Sequence, residues 1–164
     1  GNIHHWALYN RTMEDPMIYF FEVYGTLPRA GPGDDASTSK AYQMMKDAPE
    51  KPKILDIGCG PGMQTMELAR LSKGKVIALD NHQPFLDRIN NDAKALGLSQ
   101  FIETLNQDMK TMDFGPESFD IIWAEGALYQ QQIIRPRIQP RSKGMAQAVG
   151  RQRFVDAGLA QPVF

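Results

Sequence analysis

Asp56, Gly58, Gly60 and Gly62 stand at alternate positions in the stretch KILDIGCGPG over residues 53–62, directly after a short apolar run. Glycines at this spacing let a backbone turn tightly and come close to a ligand, and the helix they start presents amide hydrogens in its first turn. The acid ahead of them can accept from a cationic or hydroxylated ligand. That order separates the run from the dinucleotide fingerprint G-x-G-x-x-G, where a pyrophosphate rests on helix amides and a neighbouring carboxylate would repel it. Two further acids follow apolar stretches, Asp80 after VIAL and Asp108 between Gln107 and Met109.

Periodicity and punctuation give the elements that must position these residues. A short aromatic amphipathic helix is expected over residues 16–24, then a loop over 25–35 containing Pro28, Gly31, Pro32 and Gly33. Ser37 or Thr38 is suited to cap a helix running to about residue 46, which Pro49 and Pro52 terminate. Strands are predicted at 53–57, 75–79, 102–106 and 119–124, with helices at 62–71 and 84–95, the second closed by Gly97. Strands separated by helices imply βαβ units and a parallel sheet. Ligands of such sheets bind beyond the carboxyl ends of the strands, where strand order reverses. Asp56 with its glycines, Asp80 and Gln107-Asp108 should therefore converge. An adenosyl ligand with a methionine tail fits them: Asp80 for both ribose hydroxyls, Asp108 for the adenine amino group, and residues 58–62 beneath the amino-acid part.

The segment over residues 53–129 resembles class I S-adenosylmethionine-dependent methyltransferases, through ILDIGCGPG, the acid ending VIALD, the QDM of the third loop, and FDIIWAEGALY. The earlier stretch LPRAGPGDDASTSKA is similar to bacterial small-molecule methyltransferases whose leading helices and Pro-Gly loop cover the cofactor. The resemblance implies a Rossmann-like α/β fold, a parallel sheet flanked by helices and here incomplete after strand four. It also implies that Asp56, Gly58 and Gly60 hold the methionine end, with Cys59 and Gly62 in the same turn. Asp80 would hold ribose, Asn81 and Met109 would flank adenine beside Gln107, and Asp108 would reach the amino group. Glu125 would lie near the methyl-transfer centre.

A sulfonium is already an activated methyl donor, so alignment should carry much of the rate. Where an acceptor binds protonated, Glu125 is the leading base, with Tyr129 and His82 behind it. The alternative for Glu125 is a strand-end carboxylate that orients a ligand or caps a turn. Plainer readings apply elsewhere. Cys59 is expected as a small buried side chain, because no His-Asp arrangement would activate it. His4-His5 lacks further metal ligands, so no metal is expected. Tyr19, Phe20, Phe21 and Tyr24 would form a lid or pack the leading helix on the sheet, and Arg29 would meet a carboxylate or stay solvated.

The 164 residues carry a formal net charge of -1 and 42% hydrophobic side chains, the balance of a soluble domain rather than a nucleic-acid binder. No apolar run approaches the ~20 residues of a membrane span. A single cysteine excludes an internal disulfide and makes the cytoplasm the default expectation. The opening GNIHH has neither an initiator Met nor a signal pattern, and reads as a cloning remnant or the cut edge of a longer chain. Three regions are expected: a helical cap and loop over residues 1–48, the cofactor-binding core over 49–130, and an atypical basic tail over 131–164. The expected partner is a small-molecule acceptor, with homo-oligomers left open. A noncatalytic cofactor-binding or interaction domain is the alternative from another class, and a nicotinamide-dinucleotide enzyme is disfavoured by the acid-first turn.

The tail reads differently from the rest. Residues 1–130 hold 12 Lys and Arg against 18 Asp and Glu, whereas residues 131–164 hold 6 against Asp156 alone. After GALY the relatives' pattern is a helix Gly-Phe-x-x-Gly-Leu-x-x-Trp-Arg, absent here in register. Residues 137–146, RIQPRSKGMA, can be back-translated and read one nucleotide later as Gly-Phe-Asn-Arg-Gly-Leu-Lys-Ala-Trp-Arg. The Trp is forced, since a Met codon followed by an Ala codon contains TGG in that frame. The hypothesis is that the chain from about residue 131 is read out of frame. Resequencing the gene is expected to return coding DNA that spells this helix in the shifted frame, and DNA that spells something else there rules the frameshift out.

Overall fold

The computed structural model describes residues 34–45, 48–115, 118–125, 153–156 and 161–162. The expected helix at 16–24, its aromatic residues, Arg29, His4-His5, Tyr129 and most of the tail lie outside them.

Helix α1, Asp35–Gln43, is capped one turn earlier than expected: Asp34 accepts the Ser37 N–H at 2.7 Å, so Thr38 falls inside the helix and is buried. Strand β1, Lys53–Ile57, leads into helix α2, Met63–Ser72, and strand β2, Lys75–Asp80. Helix α3, Gln83–Ala95, starts with Pro84 in its first turn and ends at Gly97, whose φ of 68° is the left-handed conformation expected of a terminal glycine. Strand β3, Ile102–Asn106, and strand β4, Ile121–Ala124, complete the expected set. Strand β4 begins two residues late. Phe119 turns to meet Phe114 edge-on, while Asp120 exchanges hydrogen bonds with the Lys53 backbone, 2.9 Å each way.

Strands β3, β2, β1 and β4 lie in that order and all parallel. Beyond strand four, where the sequence leaves the sheet incomplete, the structure adds two short strands. Strand β5, Arg153–Asp156, pairs parallel with β4, and β6, Gln161–Pro162, pairs antiparallel with β5. One edge of β4 is thus covered by tail residues whose sequence shows little periodicity.

Pleating sorts the core into two layers. Ile54, Val76, Ala78, Ile121 and Trp123 face helices α2 and α3, represented by Leu68, Ala69, Leu86 and Ile89. Leu55, Ile57, Ile77, Leu79 and Ile122 face Met112 and Phe119 on the other side. Side chains two residues apart share a face. Asp56, Asp80 and Glu125 therefore continue the helix-covered face at the ends of β1, β2 and β4.

Helices α2 and α3 meet closely at Gly62. Its φ is 91°, and a Cβ there would strike Ile89 Cγ1 and lie 2.7 Å from Ile89 Cδ1. The glycine is required by helix packing as well as by the turn. Gly62→Ala is expected to cost about 3 kcal/mol, from left-handed strain together with overpacking. Denaturant melts should show a smaller cost in an Ile89→Ala background, and equal costs in the two backgrounds would refute the contact.

Candidate functional site

The site is assembled at the carboxyl ends of the strands. Strand order reverses between β1 and β4, because β1 leads to β2 and β3 on one side while β4 lies on the other. Asp56 and Glu125 flank that reversal, Asp80 lies one strand away, and Gln107-Asp108 follow β3.

The turn after β1 is fastened to the end of β2. Gly58 and Cys59 N–H both donate to the Leu79 carbonyl, at 2.8 and 3.0 Å, and Gly60 N–H donates to Asp80 Oδ2 at 3.0 Å. Gly58 and Gly60 have φ of 65° and 54°, so the glycine spacing matches the positive-φ positions of the turn. Asp80 Oδ1 accepts the His82 N–H at 2.9 Å. Both oxygens of this half-buried carboxylate are aimed by backbone amides, and each retains acceptor capacity for a vicinal diol.

Asp56 is fully buried. Its Oδ2 accepts from Thr65 Oγ1 at 2.6 Å and Gln64 Nε2 at 3.3 Å, and Gln64 Nε2 also reaches the Cys59 carbonyl at 2.7 Å. Gln64 and Thr65 escaped sequence reading. A signal was available, since two polar residues in the first helical turn after the glycines sit where that turn is held against the strand it follows.

Asp108 closes an Asx turn, its Oδ1 accepting Lys110 N–H at 2.8 Å. Gln107 donates its N–H to the Asp80 carbonyl at 3.1 Å, which brings the third loop to β2, while its side chain turns to the Thr111 carbonyl. Met109 is half-buried against the second core layer and Asn81 is exposed. His82 stacks edge-on with Phe85, ring centroids 4.6 Å apart, at the start of α3.

Glu125 is buried, and its Oε2 accepts from Thr38 Oγ1 at 3.2 Å and Trp123 Nε1 at 3.4 Å. Thr38 is thus a residue of the site that sequence reading treated only as a helix cap. Cys59 lies inside the glycine turn, buried, and belongs to the helix-side core. Among the described residues no group of three or more His, Cys, Asp or Glu is arranged to hold a metal. None of the described helices is long and apolar enough to cross a membrane.

The family described as "Methyltransferase domain" matches residues 54–139, just over half of the chain. The sterol 24-C-methyltransferase of Candida albicans is 36% identical over 75 residues, 46% of this chain and 20% of that protein. The chain thus spans about a fifth of the length of the curated relatives it matches. An S-adenosylmethionine-dependent methyltransferase from Thiobacillus denitrificans, solved with S-adenosyl-L-homocysteine, aligns with a TM-score of 0.64 at 18% identity, covering 78% of this chain and 53% of that one. The geranyl diphosphate C-methyltransferase of Streptomyces coelicolor A3(2) aligns with a TM-score of 0.59 at 16% identity, over 74% of this chain and 44% of that one. These solved structures share the Rossmann-like fold.

Burial, reinforced by the nearby Asp56 and Asp80 carboxylates, pushes the Cys59 thiol well above its ordinary range. The folded chain therefore keeps the proton while the unfolded chain loses it near about pH 8.5. Below that range Cys59 leaves stability unchanged, and above it stability falls as pH rises. A disulfide reagent at about pH 8 is expected to react with Cys59 only as fast as the chain unfolds. Rapid labelling of the folded protein would contradict the burial.

Proposed function

Because this chain belongs to the methyltransferase-domain family, we propose that it binds S-adenosyl-L-methionine beyond the carboxyl ends of β1, β2 and β3 and directs its methyl group to a small-molecule acceptor. The seat of Asp80 carries this reading. A carboxylate oriented by the Gly60 and His82 amides suits a ribose diol, and its charge disfavours a phosphate in the same place. Asp108, set by its Asx turn, accepts the adenine amino group, with Asn81 and Met109 on either side of the base. Asp56 and the glycine turn take the amino-acid end.

When bound, the cofactor supplies a methyl group already activated on a sulfonium. The chain's own residues bind, orient and exclude water, and alignment of the acceptor with the methyl carbon accounts for the rate. Glu125 is assigned to hold α1 against the end of β4. Its Oε2 accepts from Thr38 on that helix and from Trp123 on the strand. The sterol and geranyl diphosphate enzymes among the similar proteins support a small molecule over a macromolecule as acceptor.

Calorimetric titration of the full chain with S-adenosylmethionine and S-adenosylhomocysteine, then a labelled-methyl assay over metabolite pools, tests this reading. Binding is expected, with affinity for both lowered roughly tenfold or more by Asp80→Asn. Binding without turnover would favour the noncatalytic alternative, and binding of a nicotinamide dinucleotide in their place would sink the proposal.

A further inference from the structure

Gln64 and Thr65 occupy the first turn of α2, yet both are buried, at 3% and 0% exposure. Thr65 lies on the stripe that continues through Leu68, Ala69 and Ser72, the face of α2 turned to the sheet. A valine would fill the same volume there, so packing alone does not call for a hydroxyl. A buried hydroxyl and a buried amide are costly unless hydrogen-bonded. Both side chains are bonded, and to the same atom: Thr65 Oγ1 and Gln64 Nε2 converge on Asp56 Oδ2, 2.6 and 3.3 Å away. The same Gln64 amide reaches the Cys59 carbonyl at 2.7 Å. One side chain therefore ties the end of β1 to the middle of the glycine turn. Two donors on one oxygen fix the rotation of the carboxylate, and helix α2 sets where those donors stand.

Resting on the cofactor reading above, we infer that Gln64 and Thr65 are positioning residues that set Asp56 and the glycine turn for the amino-acid end of the ligand. A purely structural anchor for a buried acid would affect every ligand of the site alike. A positioning role is selective: it bears on ligands that carry the amino-acid end and spares those that lack it.

The experiment titrates the full chain and its variants with S-adenosylhomocysteine and with 5′-methylthioadenosine, which keeps the adenosine and loses the amino-acid end. Thr65→Val is expected to weaken S-adenosylhomocysteine roughly tenfold and to leave methylthioadenosine within about twofold, the loss of one hydrogen bond to a charged group. Thr65→Ser, which keeps the donor, should restore the wild-type ratio of the two affinities. Should Thr65→Val fail to fold, Gln64→Leu makes the same comparison with Thr65 intact. Equal losses for both ligands, or no loss for either, overturn the inference while leaving cofactor binding standing. A wild-type chain that binds neither ligand overturns the cofactor reading, and this inference with it.

Discussion

Three consecutive amides of the turn after β1 are received by two residues at the end of β2. The Leu79 carbonyl takes Gly58 and Cys59, and the Asp80 carboxylate takes Gly60. This docking is the constraint on which the site rests. A turn of glycines is conformationally permissive, and its freedom is costly to freeze unless something else holds it. Here the neighbouring strand supplies the acceptors, so the turn becomes as fixed as the sheet. The same bonds orient Asp80, because a donor to a carboxylate places both partners. What resembles a binding loop followed by a separate acid is one hydrogen-bonded unit.

Sheet geometry extends that unit sideways. Parallel register aligns Asp56 with Ala78 on one neighbour and Trp123 on the other, so Asp80 and Glu125 each project two residues beyond the level of Asp56 on the same face. That face is the one covered by helices, which explains how the acids acquire partners. Asp56 meets the first turn of α2, Asp80 meets the turn and the start of α3, and Glu125 meets α1. Carboxylates on the opposite face would have met Met112 and Phe119, an apolar layer with nothing to donate.

Much of this was legible in the residues. Strand periodicity placed β1 and β3 at their observed bounds and the other central strands within two residues, since buried parallel strands are continuous apolar runs. The acids ending β1, β2 and β4 were legible because a charge after such a run marks a strand exit. Long-range partners were not. Thr38 reaches Glu125 across 87 positions, and local capping rules assigned it to its own helix, where Asp34 does that work. Ile89 defines Gly62 from a helix two elements later, so a glycine grouped with the ligand turn is needed for helix packing too. Strand β5 was illegible for a different reason. Its pairing with β4 is backbone to backbone, and four residues without alternation leave no pattern to read.

Glu125 shows how helix α1 comes to depend on the sheet. Helix α1 has nine residues, too short to be stable alone in water, and Thr38 and Ala41 are its buried contacts. Trp123 is fully buried and donates its indole N–H to the same Glu125 oxygen that accepts from Thr38. Removing one of these donors from the buried carboxylate would cost about 1–3 kcal/mol, the penalty of a buried group left short of a hydrogen bond. The acid at the end of β4 therefore couples the position of α1 to the packing of the strand's central tryptophan. Glu125 thus ties one end of β4 to α1, while β5 pairs along the same strand's edge.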